Sequence, residues 1–230
     1  MPSFFVPDKS LLSPMQTDFT ETARYLGYKR LSLPDEQIST LIDECIRELY
    51  SLISPQAVYD FFELEVLQAD FVKNDSAQAD SAQTGVLPVI QFADVKIASV
   101  DLARNLHGCT KVALLAATIG PQVDSSIRRC QTLNPAKAAV MQAAGAMYIE
   151  KFVDLVNDEI KKVVCGSVDS ANGKELVCKP RYSPGFGDVS LEVQKDFFRL
   201  LPCARIGLTL MDSLIMSPEK SVTAFQGIKA

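Results

Sequence analysis

Ten consecutive residues hold most of the chemistry this chain can offer: Lys179-Pro180-Arg181-Tyr182-Ser183-Pro184-Gly185-Phe186-Gly187-Asp188. Pro180 and Pro184 fix φ and lack a backbone donor, so neither a helix nor a central strand runs through the segment. Gly185 and Gly187 permit positive φ, or a close approach to the main chain where a Cβ would collide. The segment therefore reads as a structured loop. Its Arg181 guanidinium can hold a carboxylate or phosphate through two parallel hydrogen bonds. Tyr182 and Phe186 offer flat faces to a ring or a cation. A plainer reading stands beside this one, in which the loop is a rigid turn whose arginine pairs with a nearby carboxylate.

The rest of the reactive inventory is thin. A single histidine, His107, precedes Gly108 at an expected helix C-terminus, where an imidazolium favours the dipole. One histidine and six cysteines at 45, 109, 130, 165, 178 and 203, with no C-x-x-C, argue against a zinc site. They point instead to unpaired thiols in a reducing, cytoplasmic setting. Cys109 has only Lys111 as a basic neighbour and reads as packed, not reactive. The sequence thus offers no catalytic triad and no metal ligand set.

Net charge and hydropathy exclude further classes. A formal charge of −5 and the absence of any basic run give no footing for nucleic acid or an anionic membrane. The longest apolar stretch, over 112–119, is too short to span a bilayer, and no signal-peptide pattern is expected. Hydrophobic content of 47% and charged content of 22% suit a globular protein, and 230 residues suffice for a sizeable core.

These side chains must be positioned by surrounding elements. The proline-bearing residues 1–15 read as an arm over the surface, and 18–26 as a short helix closed by Gly27. Pro34 opens a stronger helix with Ile38, Leu41, Ile42, Cys45, Ile46 and Leu49 at helical spacing. In 58–66, Phe62, Leu64 and Val66 alternate with Glu63 and Glu65, which predicts a half-buried strand. Residues 73–84, with a near-repeat of Asp-Ser-Ala-Gln, predict a flexible loop. Strands follow at 86–92 and 94–98, then a helix to His107 capped by Ser99. A buried strand over 112–117 and a helix over 122–130 come next. The longest helix spans 136–164, with Val140, Ala144, Met147, Tyr148, Phe152, Leu155, Val156, Ile160 and Val163 as its apolar stripe. Ser190 caps a helix to Leu201, with Glu192 in its first turn. Runs at 205–211, 213–216 and 221–226 predict a closing antiparallel meander. Strands and helices mix without a βαβ beat, so the expected class is α+β, a single unit over 1–230 with a helical N-terminal segment over 1–55.

A known family combines these features. A strand running into Ala117-Thr118-Ile119-Gly120, a long helix carrying a glutamate, and R-x-x-P-G-aromatic opening into a helix together resemble the S-adenosylmethionine-binding activation domain of cobalamin-dependent methionine synthase. The phrase Arg181-Tyr-Ser-Pro-Gly-Phe-Gly-Asp-(x)2-Leu-Glu-Val-Gln194 and the run from His107 to Gly120 are most similar to its short stand-alone versions. The likeness covers about residues 20–228 and is strongest at 106–120, 145–156 and 180–194. It implies a curved, mostly antiparallel sheet flanked by helices.

The resemblance also implies a ligand, S-adenosylmethionine. Arg181, Tyr182, Ser183, Gly185 and Phe186 fall on the family's binding loop, and Glu150 on the glutamate that faces the cofactor's amino group. Read from its neighbours alone, Glu150 is a solvated carboxylate beside Lys151. Asp188 points into such a site or favours the N-terminus of the 190–201 helix. Two positions depart from the full-length enzymes, which carry a tyrosine at Phe186 and another near Val222, and an N-terminal aspartate has no counterpart. No D-x-H-x-x-G motif is present to ligate cobalt. The implied role is therefore a separate reactivation subunit. It would support reductive methylation of cob(II)alamin on a partner methionine synthase or corrinoid protein, with a flavodoxin-like electron donor. The cobalamin would belong to the partner. A non-catalytic, small-ligand-binding regulatory module is the alternative.

Overall fold

A computed structural model describes residues 1–29, 34–67, 87–165 and 176–229. Along the chain the elements are β1 (Ser3–Phe5), α1 (Gln16–Tyr25), α2 (Glu36–Leu52), β2 (Gln56–Leu67), β3 (Val89–Phe92), β4 (Val95–Ala98) and α3 (Val100–Asn105). They continue as β5 (Lys111–Thr118), α4 (Pro121–Leu133), α5 (Pro135–Cys165), β6 (Val177–Cys178), α6 (Gln194–Leu200), β7 (Thr209–Leu210), β8 (Met216–Ser217) and β9 (Ser221–Lys229).

The main sheet runs β4-β3-β2-β5-β9-β6, with β1 added beside β2, and every pairing is antiparallel. The class is α+β, a mostly antiparallel sheet with flanking helices. The reason lies in β5, whose side chains alternate between two apolar layers. Ala113, Leu115 and Ala117 face one layer; Val112, Leu114 and Ala116 face the other. A strand covered on both faces reads as a continuous apolar run, and the sequence shows one there.

The first layer is built by α1, α2, α4 and α5. Fully buried Tyr148 and Phe152 of α5 pack there with Ile42, Cys45 and Leu49 of α2. Tyr148 satisfies its buried hydroxyl by donating to the Ile46 carbonyl at 3.0 Å. The expected stripe on α5 holds except at Val163, which is 43% exposed while the adjacent Val164 takes the buried position. The second layer gathers β3, β4, α3 and α6 around Phe225, whose ring meets Phe197 at 4.7 Å and Phe92 at 5.8 Å edge-on.

Caps follow sequence chemistry. Asp35 accepts from the Ile38 amide at 2.8 Å to start α2, and Ser99 accepts from Leu102 at 2.9 Å to start α3. Gly27 closes α1 at φ +93°. The N-terminal arm does more than lie over the surface: β1 joins the sheet and Leu12 is fully buried.

The C-terminal meander is a correction. Residues 203–206 form a 3-10 turn, and β7 and β8 make a separate two-stranded ribbon. β9 alone enters the main sheet, between β5 and β6. Short β-leaning runs settle into whichever partner tertiary packing supplies, and only β9 is long enough to match β5. The loop expected over 73–84 lies outside the described residues. Among those described, no helix is long and apolar enough to cross a membrane.

Candidate functional site

The proline-glycine loop leaves the sheet as an extension of its edge. Lys179 N–H donates to the Gly227 carbonyl at 2.8 Å. Tyr182 and Phe225 then exchange both backbone hydrogen bonds, at 2.9 and 2.7 Å. Beyond Tyr182 the chain turns: Phe186 N–H reaches the Ser183 carbonyl at 3.3 Å, and Gly185 N–H reaches Val189 at 2.9 Å. The Tyr182 hydroxyl donates to the Phe186 carbonyl at 3.0 Å, so it braces the turn.

Both loop glycines are required by geometry. Gly187 sits at φ +53°, and a Cβ there would lie 2.4 Å from both Asp101 Oδ2 and Tyr182 Oη. Gly185 sits at φ +88°.

Asp188 anchors the loop's far end. Its carboxylate accepts from the Ser99 hydroxyl, from Val100 N–H at 2.6 Å and from Asp101 N–H at 3.3 Å. Burial works against its charge, but these donors hold its carboxyl below the ordinary range. The helix N-terminus it serves is that of α3, not the one at 190–201. That corrects the sequence expectation, which read only the nearest helix along the chain.

Arg181 faces α5. It donates to Glu150, and to Asp154 Oδ1 at 2.6 Å, one turn further along the same helix face. Burial works against its charge, yet Asp154 and Glu150 raise its pKa above the guanidinium's ordinary value. The pairing with a local carboxylate, one of the two readings of this arginine, is thus present in the structure.

Arg181 and Glu150 line a cleft of about 380 Å³. Tyr182, Ser183, Pro184 and Phe186 form its loop wall; Gln194, Met216, Ser221, Val222 and Thr223 complete it. Phe186 is 67% exposed at the rim. Five of the six expected site residues line this cleft: Glu150, Arg181, Tyr182, Ser183 and Phe186. Gly185 does not line it, and instead shapes the turn. Local sequence pattern does not mark Gln194, Met216, Ser221 and Thr223 as site residues, because their place depends on β9 and α6 meeting the loop. Gln194 closes the quoted loop phrase, which was the one available signal. A side chain 6% exposed, it keeps an Oε1 with no hydrogen-bond partner among the described residues.

Glu150 also borders a second hollow of about 280 Å³ between α1 and α5. There Asp18, 4% exposed, accepts from Lys151 at 2.7 Å and from Met15 N–H at 2.8 Å. Its carboxylate is committed to closing α1 onto α5. Among the described residues, no group of three or more histidines, cysteines or carboxylates could hold a metal ion. Cys109, just before β5, is packed in the second apolar layer, and burial pushes its thiol pKa up.

No protein-family model matches the chain, and a search of curated proteins finds no match. Among solved structures the chain is similar to the MetH reactivation domain bound to AdoHcy, with a TM-score of 0.60 and 12% identity over 99% of this chain and 78% of that one. The likeness is one of fold.

Proposed function

We propose that this chain binds S-adenosylmethionine in the Arg181–Glu150 cleft and acts as a reactivation subunit in trans. The target is a cobalamin-dependent methionine synthase or related corrinoid protein that holds the cobalamin, with a flavodoxin-like protein as electron donor. One observation carries the reading: a guanidinium and a carboxylate stand side by side in a cleft walled by the loop residues Tyr182, Ser183, Pro184 and Phe186. The fold around them is similar to that of the MetH reactivation domain solved with AdoHcy.

The residues present fit the ligand. An α-amino acid end presents a carboxylate and an ammonium on one carbon, the charge complement of Arg181 and Glu150. Inserting that zwitterion between them exchanges one ion pair for two and leaves no buried charge unmatched. Asp154 stays on the guanidinium throughout and keeps the fork oriented. When bound, S-adenosylmethionine supplies a methyl group on a sulfonium already disposed to leave. The chain's own task is then to bind, orient and present it, which requires no acid, base or nucleophile. Phe186 at the rim offers its ring face to the positive sulfur.

Calorimetric titration of S-adenosylmethionine into wild type and Arg181→Ala tests binding. Saturable one-to-one binding that weakens sharply in the variant supports the reading, and no binding by wild type at millimolar ligand sinks it. Adding the chain to an oxidised corrinoid methionine synthase, with reductant, tests the role. Binding without recovered turnover would favour the regulatory module.

A further inference from the structure

The first apolar layer holds two thiols at one level. α2 runs out to Ser54, whose N–H donates to the Ile119 carbonyl at 2.8 Å, just before Gly120 caps α4. The end of α2 therefore lies beside the start of α4, and the two helices run antiparallel. Further in, the Ser126 hydroxyl of α4 donates to Glu48 Oε1 of α2 at 3.2 Å. One turn back along α2 is Cys45, and one turn on along α4 is Cys130, each on the same helix face as the bonded residue. In an antiparallel pair those two steps lead to the same place. Both side chains pack on the same layer as free thiols, Cys45 wholly enclosed and Cys130 half-buried.

The spacing of packed helices permits a bond between them. Axes of helices in contact lie about 8–10 Å apart, with Cα atoms about 2.3 Å off each axis. Facing Cα atoms then stand roughly 4–6 Å apart, the range that a disulfide spans. A cation sits at the same level. Lys137 of α5 holds Glu48 Oε2 at 2.7 Å. Burial pushes the Cys45 thiol up to about 11, and the Lys137 ammonium pulls the other way. Glu48 first, and after it both thiols, raise the Lys137 pKa, so one ammonium lies within electrostatic reach of both sulfurs.

We infer that Cys45 and Cys130 are a reversible dithiol–disulfide pair, a redox-sensitive staple between α2 and α4. The oxidant is a low-molecular-weight disulfide of the glutathione class. Cys130, the reachable thiol, gives up its proton and attacks one sulfur of that disulfide, and the other sulfur leaves as a thiol. Cys45 then attacks Cys130 Sγ, and the second small thiol leaves with the Cys45 proton. Two protein thiols are oxidised by two electrons, and one small disulfide is reduced to two thiols. α4 also carries Asp124, which accepts from Glu219 N–H at 2.6 Å at the turn leading into Ser221 of the cleft wall. The staple thus fixes one support of that wall.

The test treats native, fully reduced protein with oxidised glutathione, blocks the remaining thiols with N-ethylmaleimide and maps the peptides, with thermal melts alongside. Wild type should yield a Cys45–Cys130 linked peptide and gain about 5–10 °C in Tm, both reversed by dithiothreitol. Cys130→Ser should give neither the link nor the gain. Cys45→Ala should stop at a mixed disulfide of Cys130 with glutathione. Wild type that stops there too overturns the inference, as does a link formed only in denaturant or a Tm gain that survives in Cys130→Ser. The comparison of wild type with Cys130→Ser stands without the core variant Cys45→Ala having to fold. None of these readouts involves S-adenosylmethionine, so the staple and the proposed ligand stand or fail separately.

Discussion

Tyr182 and Phe225 form the last rung of the main sheet on its outer edge, exchanging backbone hydrogen bonds at 2.9 and 2.7 Å. On one side of that rung the chain continues as a paired strand through Lys179 and β6. On the other side the loop departs, β9 runs on uncovered, and the cleft begins. A single backbone contact between residues 43 positions apart thus decides where sheet ends and binding surface starts.

Replacing Arg181 should separate binding from stability. Its partners Glu150 and Asp154 are 42% and 66% exposed, so the ion pairs contribute no more than about 1 kcal/mol to folding. Arg181→Ala is expected to weaken S-adenosylmethionine by about 2 kcal/mol, roughly thirtyfold in Kd, with little change in Tm. Arg181→Lys keeps the charge but loses the planar fork, and should recover only part of the affinity. Calorimetry with parallel thermal melts reads both. A Tm drop above about 8 °C in the alanine variant would mark Arg181 as a structural clamp instead.

Asp188→Asn should destabilise the protein by about 1 kcal/mol at neutral pH, because it weakens the cap that three donors make at α3. The folded-state pKa of Asp188 is depressed, so its contribution is complete above the ordinary carboxylate range and is lost as pH falls through the folded value. The gap between wild type and variant should therefore close in acid. Urea midpoints at pH 7 and pH 3.5 check this, and a gap of constant size contradicts the assignment.

Gly187→Ala should distort the loop. A left-handed residue with a Cβ costs about 1–2 kcal/mol before any clash. Here the added carbon would also press on Asp101 and on the Tyr182 hydroxyl, each at 2.4 Å. The expected result is a Tm lowered by about 4 °C or more, together with weaker ligand binding. An unchanged Tm would mean the turn relaxes freely.

Buried thiols should be silent in the native state. Burial pushes the thiol of Cys45 up to about 11 and that of Cys203 up to about 12, and both side chains are almost wholly enclosed. Labelling with a thiol reagent at pH 8, followed by peptide mapping, should modify neither until denaturant is added. Fast native labelling of Cys203 would show that the layer around Phe225 opens readily.

Much of the fold was legible in local pattern. The apolar run of β5 marked a strand buried on both faces, the spacing from Ile38 to Leu49 marked α2, and Ser99 and Gly27 marked helix ends where the structure has them. These signals survive because capping, periodicity and glycine conformation act within a few residues. Where the expectation failed, at the meander after Pro202, short segments carried β propensity without a local rule for choosing partners.

The binding loop was legible for the same reason: Pro184, Gly185 and Gly187 confine the backbone by themselves, and Arg181 and the aromatics advertise their chemistry. Sequence alone determined that a rigid turn presents a guanidinium. Only the tertiary structure decided what surrounds it. Glu150 and Asp154 arrive from α5, Asp188 reaches back 88 positions to cap α3, and Gln194 and Thr223 meet across the edge of β9. Contacts of that separation depend on the packing of both apolar layers at once, and no local spacing of residues encodes them.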